Sequence, residues 1–175
     1  MKILIITNHS YMLYRFRSEL IEALNQNHEV VLSMPFVGHE DDFAKMGIRC
    51  IKTDFERREI HLGDEMKLFF TYASQIIKER PDLVITYSIK PNIYAGLVCR
   101  FLGVPYCANV QGLGTAFQMD KYNSAVSLLY RMALRKAKMV FFENKSNADI
   151  FLSKGILPVT RQTILNGAGI NLEAY

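Results

Sequence analysis

The stretch from Pro81 to Phe117, PDLVITYSIKPNIYAGLVCRFLGVPYCANVQGLGTAF, limits the possible folds of this chain more than any other. Asp82 to Tyr87 is a short apolar run rich in Val, Ile and Tyr, bounded by Pro81 and Ser88, which is the pattern of a buried strand. Pro91 suits the first position of a helix, where its missing N–H would be unpaired anyway, and Ile93, Leu97, Val98 and Phe101 recur behind it at helical spacing. Gly103 stops that helix, Val104 to Val110 is a second β-rich run, and Gln111-Gly112-Leu113-Gly114 is the loop leaving it. Strand, crossover helix and parallel strand form a βαβ unit, and open parallel sheets bind ligands at the carboxyl ends of their strands. Lys90 and Gln111 are therefore expected on one rim. A cation at a helix N-terminus opposes the macrodipole by roughly 0.3 to 1 kcal/mol, where Ser, Asp or Asn would cap the helix. Lys90 points either to an anionic partner at that end or to a side chain reaching into solvent.

The rest of the chain repeats the alternation. Lys2 to Thr7 reads as the first strand, and the loop Asn8-His9-Ser10 can cap the helix behind it. Leu13, Phe16, Leu20, Ile21 and Leu24 mark one face of that helix, with Arg15, Arg17, Glu19 and Glu22 off the stripe. Val30 to Met34 and Ile48 to Lys52 are strands separated by a short helix from Glu40 to Met46 that ends at Gly47. Phe55 to Gly63 reads as a charged, irregular connection, after which Met66, Phe69, Phe70, Ala73, Ile76 and Ile77 hold helical register up to Pro81. Tyr122, Ala125, Val126, Leu129, Tyr130, Ala133 and Leu134 mark a helix from about Lys121 to Ala137. Lys121, Arg131 and Arg135 lie opposite that stripe, with Lys138 just beyond. Met139 to Phe142 is a further strand, and Ser146 with Asp149 forms a capping box for a helix ending near Gly155. Gln162 to Leu165 is the last strand, followed by a linker-like tail from Asn166. Strands alternating with helices throughout predict an α/β fold, a doubly wound, mostly parallel, Rossmann-like sheet in a single domain over residues 1–165.

Composition narrows the function. Half of the 175 residues are apolar, enough for a sizeable core, and 21 Lys and Arg against 17 Asp and Glu give +4, too mild to point to nucleic acid without a basic cluster. Cys50, Cys99 and Cys107 have no paired spacing and read as buried thiols of a reducing cytosol, neither a disulfide frame nor a zinc site. The apolar run after Lys2 is too short for a signal peptide, and no stretch approaches the roughly 20 apolar residues that span a bilayer. A cytoplasmic chain, at most peripheral to a membrane, is expected.

No GxxxxGK[ST] or GxSxG follows any strand, and Gly112-Leu113-Gly114-Thr115-Ala116-Phe117 lacks the third glycine of a dinucleotide fingerprint. His9, His28, His39 and His61 have no metal-ligand spacing, so neither metal nor bound cofactor is expected. What remains is a set of polar residues at strand ends: Asn8 and His9, Lys90 and Asn92, Gln111 with Gly112 and Gly114, Glu143 and Asn144, and Asn166 to Gly169. Sequence order alone also puts loops at those places.

Lys90-Pro-Asn-Ile-Tyr-Ala-Gly-Leu, Gly103-Val-Pro and Gln111-Gly-Leu-Gly-Thr-Ala-Phe together resemble the N-terminal domain of GT-B glycosyltransferases of the family 4 type, above all bacterial enzymes building capsular, O-antigen or lipid-linked oligosaccharides. Asn8-His9 with Phe16-Arg17, Phe142-Glu-Asn144 and Gly167-Ala-Gly-Ile-Asn171 fall in matching order. The resemblance implies a Rossmann-like acceptor-binding half facing a donor-binding half across a cleft, with 166–175 as the start of the interdomain linker and the donor domain outside this sequence. It implies transfer of a sugar, usually with retention and without metal, from a nucleotide-sugar co-substrate to a glycan or polyprenyl-diphosphate-linked acceptor. It places Lys90 and Asn92 near an acceptor phosphate, and Asn8, His9, Gly112, Gly114, Glu143 and Asn144 around the acceptor. Gln111 stands where many members have histidine; an amide cannot act as a base at neutral pH but can orient the sugar by hydrogen bonding. Asn8-His9-Ser10-Tyr11 lacks the glycines that many members have after the first strand. The basic side of the helix from Lys121 is then either an ordinary solvated face or a contact for an anionic membrane. An isolated chain is expected to be inactive. The alternative is a non-catalytic subunit of a split transferase that recruits acceptor or membrane, and a flavodoxin-like nucleotide binder is a third reading.

Overall fold

The computed structural model describes residues 1–54, 61–114 and 120–169, with the side chains of 120–123 left aside. Seven strands form one sheet: β1 Lys2–Ile6, β2 Glu29–Met34, β3 Arg49–Lys52, β4 Leu83–Tyr87, β5 Tyr106–Val110, β6 Met139–Phe142 and β7 Gln162–Ile164. Their order is β3-β2-β1-β4-β5-β6-β7, and every pair is parallel, more uniform than the mostly parallel sheet expected. The helices are α1 Ser10–Asn25, α2 Glu40–Lys45, α3 Leu62–Glu79, α4 Ile89–Leu102, α5 Asp120–Leu134 and α6 Lys145–Ser153.

Alternation along β1 builds two cores. Ile3 and Ile5 pack with Leu13 and Ile21 of α1 and Phe43 of α2, whereas Leu4 and Ile6 pack with α3 to α6. Right-handed crossovers require this division, because the chain winds outward from β1 first in one direction and then in the other. A polar triangle seats α3: Ser33 Oγ donates to Gln75 Oε1 at 2.8 Å and lies 2.9 Å from Thr53 Oγ1, to which Gln75 Nε2 donates at 2.7 Å.

Five local expectations need correction. In α3 the buried face is Glu65, Leu68, Tyr72, Ile76 and Glu79, while Met66, Phe70 and Ile77 are exposed. The helix turns its two glutamates inward because each finds a cation: Glu65 meets Lys90, and Glu79 meets Lys2 at 2.9 Å and also Arg49. Gly63 belongs to this helix, and residues 55–60 of the expected connection lie outside the described residues. In α1 Arg17 is buried and Leu20 exposed, the reverse of the apolar stripe. Pro91 is the third residue of α4, behind Ser88 as N-cap, where its missing N–H still falls among the unpaired ones. Helix α6 is capped by Asn144, whose Oδ1 accepts from the Asn147 N–H at 2.8 Å, not by a Ser146–Asp149 box. All three cysteines are free thiols; Cys99 is buried, while Cys50 and Cys107 are half-buried.

Candidate functional site at the carboxyl rim of the sheet

The strand order reverses between β1 and β4, so the chain leaves these neighbours toward opposite faces and opens a crevice above them. Asn8 and Ser88 stand at its two lips, and the Ser88 hydroxyl donates to Asn8 Oδ1 at 2.6 Å. Ser88 has φ 77° and ψ 162°, a conformation that glycine adopts and other residues rarely do. Sequence reading treated Ser88 only as the end of a strand; nothing in its type marks the strained backbone.

Lys90 lies in the first turn of α4, and its Nζ donates to Glu65 Oε1 of α3 at 2.6 Å, both side chains being largely buried. The cation that opposes the α4 dipole is thus answered within the chain, an option beyond the two the sequence offered. Tyr94, one turn further on, is pushed well above the usual phenol range, by burial first and then by its hydrogen bond to Glu65. Asn92 is buried between β4 and β5. Its Oδ1 accepts from Thr86 Oγ1 at 2.7 Å and its Nδ2 donates to the Asn109 carbonyl at 2.9 Å, while Asn109 Nδ2 donates to the Thr86 carbonyl at 3.3 Å. Asn92 therefore fixes the seat of α4 and the position of Lys90.

The second cluster surrounds Arg17. From α1 this buried guanidinium reaches across the sheet end, donating through Nη2 to Glu143 Oε1 at 2.5 Å and through Nη1 to the carbonyls of Phe16 at 2.7 Å and Ala168 at 2.5 Å. Gln111 Nε2 approaches the same Glu143 oxygen at 3.5 Å. Arg17 also sits 5.6 Å from the Tyr87 ring centre. Burial raises the Tyr87 phenol pKa and the Arg17 charge opposes the rise. Loops after β5, β6 and β7 are thereby drawn to one residue of α1. Gly112 is exposed, and Gly114 has φ 64° with Ile89 Cδ1 only 2.6 Å from where a Cβ would stand, so this loop closes onto the first residue of α4.

His9 precedes α1 as its N-cap residue and starts an aromatic chain: His9 to Tyr11 at 6.1 Å, Tyr11 to His39 at 5.7 Å, and His39 stacked on Tyr14 at 4.1 Å. The exposed Tyr11 ring offers the rim an apolar face with a hydroxyl at its tip. Asn144 lies at the outer end, where its side chain caps α6. The rim therefore unites Asn8, Lys90, Gln111 and Glu143, gives Asn92 and Asn144 framing positions, and adds Arg17, Ser88, Glu65 and Tyr11. Arg17 was visible as one of the four residues, Asn8-His9 with Phe16-Arg17, that match in order after β1; Glu65 and Tyr11 carried no signal.

A family model described as "Glycosyl transferase 4-like" matches residues 2–144. Among solved structures, HepE from Anabaena, in complex with UDP-glucose, aligns over 100% of this chain and 46% of its own with TM-score 0.70 and 14% identity. MurG from Acinetobacter baumannii aligns over 99% and 47% with TM-score 0.62 and 16% identity. UDP-GlcNAc 2-epimerase from Neisseria meningitidis, bound to UDP-GlcNAc, aligns over 94% and 46% with TM-score 0.63 and 13% identity. At these identities the likeness is one of fold, and the chain spans just under half the length of each of the three. No curated protein matches the chain.

Proposed function

Because the chain belongs to the glycosyl transferase 4-like family, we propose that its carboxyl rim is the acceptor side of a sugar-transfer site. The acceptor is a glycan or polyprenyl-diphosphate-linked sugar of polysaccharide synthesis, and the donor is a nucleotide-sugar held by a second Rossmann-like half. The observation that carries this reading is that Asn8, Ser88 and Lys90 follow the two strands flanking the strand reversal and Gln111 follows the next strand at the same carboxyl end, with the Lys90 ammonium held in place by Glu65.

A cation already positioned loses less freedom on meeting a phosphate, which is how such a site gains affinity. Asn8 and Ser88 offer hydrogen-bonding groups to sugar hydroxyls, Tyr11 an apolar face to the ring, and Gln111 an amide that orients the acceptor without removing its proton. Transfer with retention and without metal follows the family pattern. A polyprenyl-linked acceptor would bring the chain to the cytoplasmic face of a membrane, and residues 1–175 by themselves are expected to turn over no nucleotide-sugar.

The test is a titration of the 15N-labelled chain with a short-chain prenyl-diphosphate sugar and, separately, with a nucleotide-sugar. Shifts at Asn8, Ser88 and Gln111 with the first ligand, weakened about tenfold by Lys90→Ala, are expected. Unchanged affinity in that variant removes Lys90 from the site, and rim shifts with the nucleotide-sugar alone overturn the acceptor assignment.

A further inference from the structure

Two cations of the carboxyl rim, Lys90 and Arg17, are each matched by a carboxylate of the chain itself. Lys90 Nζ lies 2.6 Å from Glu65 Oε1, and Arg17 Nη2 lies 2.5 Å from Glu143 Oε1. Both pairs are largely buried, the Glu65 side chain being only 8% exposed, so water screens them poorly and a ligand meets the negative partner along with the positive one. Glu65 Oε2 is buried as well and has no hydrogen-bond partner among the described residues. The phenols of Tyr72 and Tyr94 are pushed up, by burial first and then by Glu65, so they stay neutral and leave Lys90 to answer the carboxylate.

The positive field left at Lys90 is that of α4. Ser88 gives this helix no side-chain cap, its hydroxyl being donated to Asn8, and no acid stands in the first turn. The N-terminus of α4 therefore keeps roughly half a positive charge, whereas the start of α3 is already answered by the exposed Asp64. An anion seated at Lys90 is drawn by about that half charge, and the buried Glu65 carboxylate repels each further charge it brings. Phosphates differ in this respect. An esterified phosphate in a diester carries one charge, but a terminal phosphate ionises a second time near pH 6 and carries roughly 1.5 to 2 at neutral pH.

We propose that Glu65 is a positioning residue that, through Lys90, restricts the rim to phosphate esterified on both sides and turns away a bare terminal phosphate. The oxygen that fixes the ammonium also cancels most of its charge, so the two effects come from one contact. This charge limit rests on the acceptor reading above and adds to it the class of phosphate recognised. An acceptor enters with its sugar already in place, and an alcohol diphosphate without a sugar competes poorly for the same rim.

Two ligands that differ by one charge test it, a short-chain prenyl diphosphate and its terminal methyl ester, titrated into the full chain by calorimetry at about pH 8. The ester is expected to bind about tenfold more tightly. Glu65→Gln, which restores the whole charge of the ammonium, should bring the two affinities together or reverse their order, and Glu65→Asp should keep the native preference. A purely structural role for Glu65 would weaken both ligands alike and leave their ratio unchanged. That result, or a native chain that prefers the free diphosphate, would overturn the proposal. Should circular dichroism show that Glu65→Gln does not fold, the native chain still decides. Its affinity for the free diphosphate should rise toward that of the ester as pH falls through about 6, where the terminal phosphate regains its proton, and a ratio that stays fixed would overturn the proposal. Binding of both ligands without preference removes only this inference. Binding of neither, nor of the prenyl-diphosphate sugar, removes the acceptor reading itself.

Discussion

Arg17 shows how one side chain can set the shape of a whole loop cluster. It is buried, its charge is answered by Glu143, and it also holds the Ala168 carbonyl, so its removal strands a carboxylate and frees a loop at once. Breaking a largely buried pair from one side costs about 3 kcal/mol or more, and Arg17→Ala should lower unfolding stability by about that amount in urea titrations. A loss below about 1 kcal/mol would class the pair with surface ion pairs. Asn92 is a neutral counterpart: Asn92→Ala leaves the Thr86 hydroxyl and the Asn109 carbonyl without their buried partner, and a loss of about 2 kcal/mol is expected by the same measurement. Neither residue could be weighed from the sequence alone. Arg17 meets Glu143 across 126 positions, and a polar residue on a helix reads as outward-facing until the partner that draws it inward is known.

Among the elements, legibility followed periodicity. The strands and the α4 crossover were readable because buried parallel strands are apolar runs and the helix between them keeps a regular apolar spacing. Helix α3 was readable as a helix but not in its orientation. Its apolar residues fill an arc broader than the buried face, from Leu68 round to Phe70, and long-range cations at Lys90, Lys2 and Arg49 decide that the glutamate side of it faces inward. The start of α6 was misassigned because Ser146 and Asn144 are both good caps, and only geometry separates them. Asn144→Ala should cost about 1 kcal/mol and Ser146→Ala close to nothing, read from thermal melts of the two variants. The opposite ranking would restore the Ser146 box.

At the scale of the molecule, the amino end of the sheet carries a charge cluster of its own. Glu79 receives Lys2 and Arg49, and its carboxyl is held below the usual range, by the Arg49 hydrogen bond first and then by Lys2, with burial opposing. Lys2 is raised in turn, chiefly by hydrogen bonds to Glu79 and Glu29. A carboxyl more acidic folded than unfolded adds stability that is present above its unfolded value, 4.5, and is lost as pH falls through the folded one. A more basic lysine adds stability that is full below 10.5 and is lost as pH rises through its folded value. Stability from this cluster should therefore be level between those limits, and Glu79→Gln should make the acid-side fall shallower in urea melts taken at several pH values. An equally steep fall in the variant would show that other carboxyls govern acid unfolding.

The hydrogen bond from the Glu29 N–H to the Met1 carbonyl, 3.0 Å long, continues the β1–β2 ladder back to the first residue. Met1 consequently emerges at the end of the sheet remote from Asn8, Ser88 and Lys90. A sensor chip or bead coupled through the α-amino end would hold the molecule by its base and leave the crevice open to the flow, whereas coupling through exposed lysines would fix it in many poses.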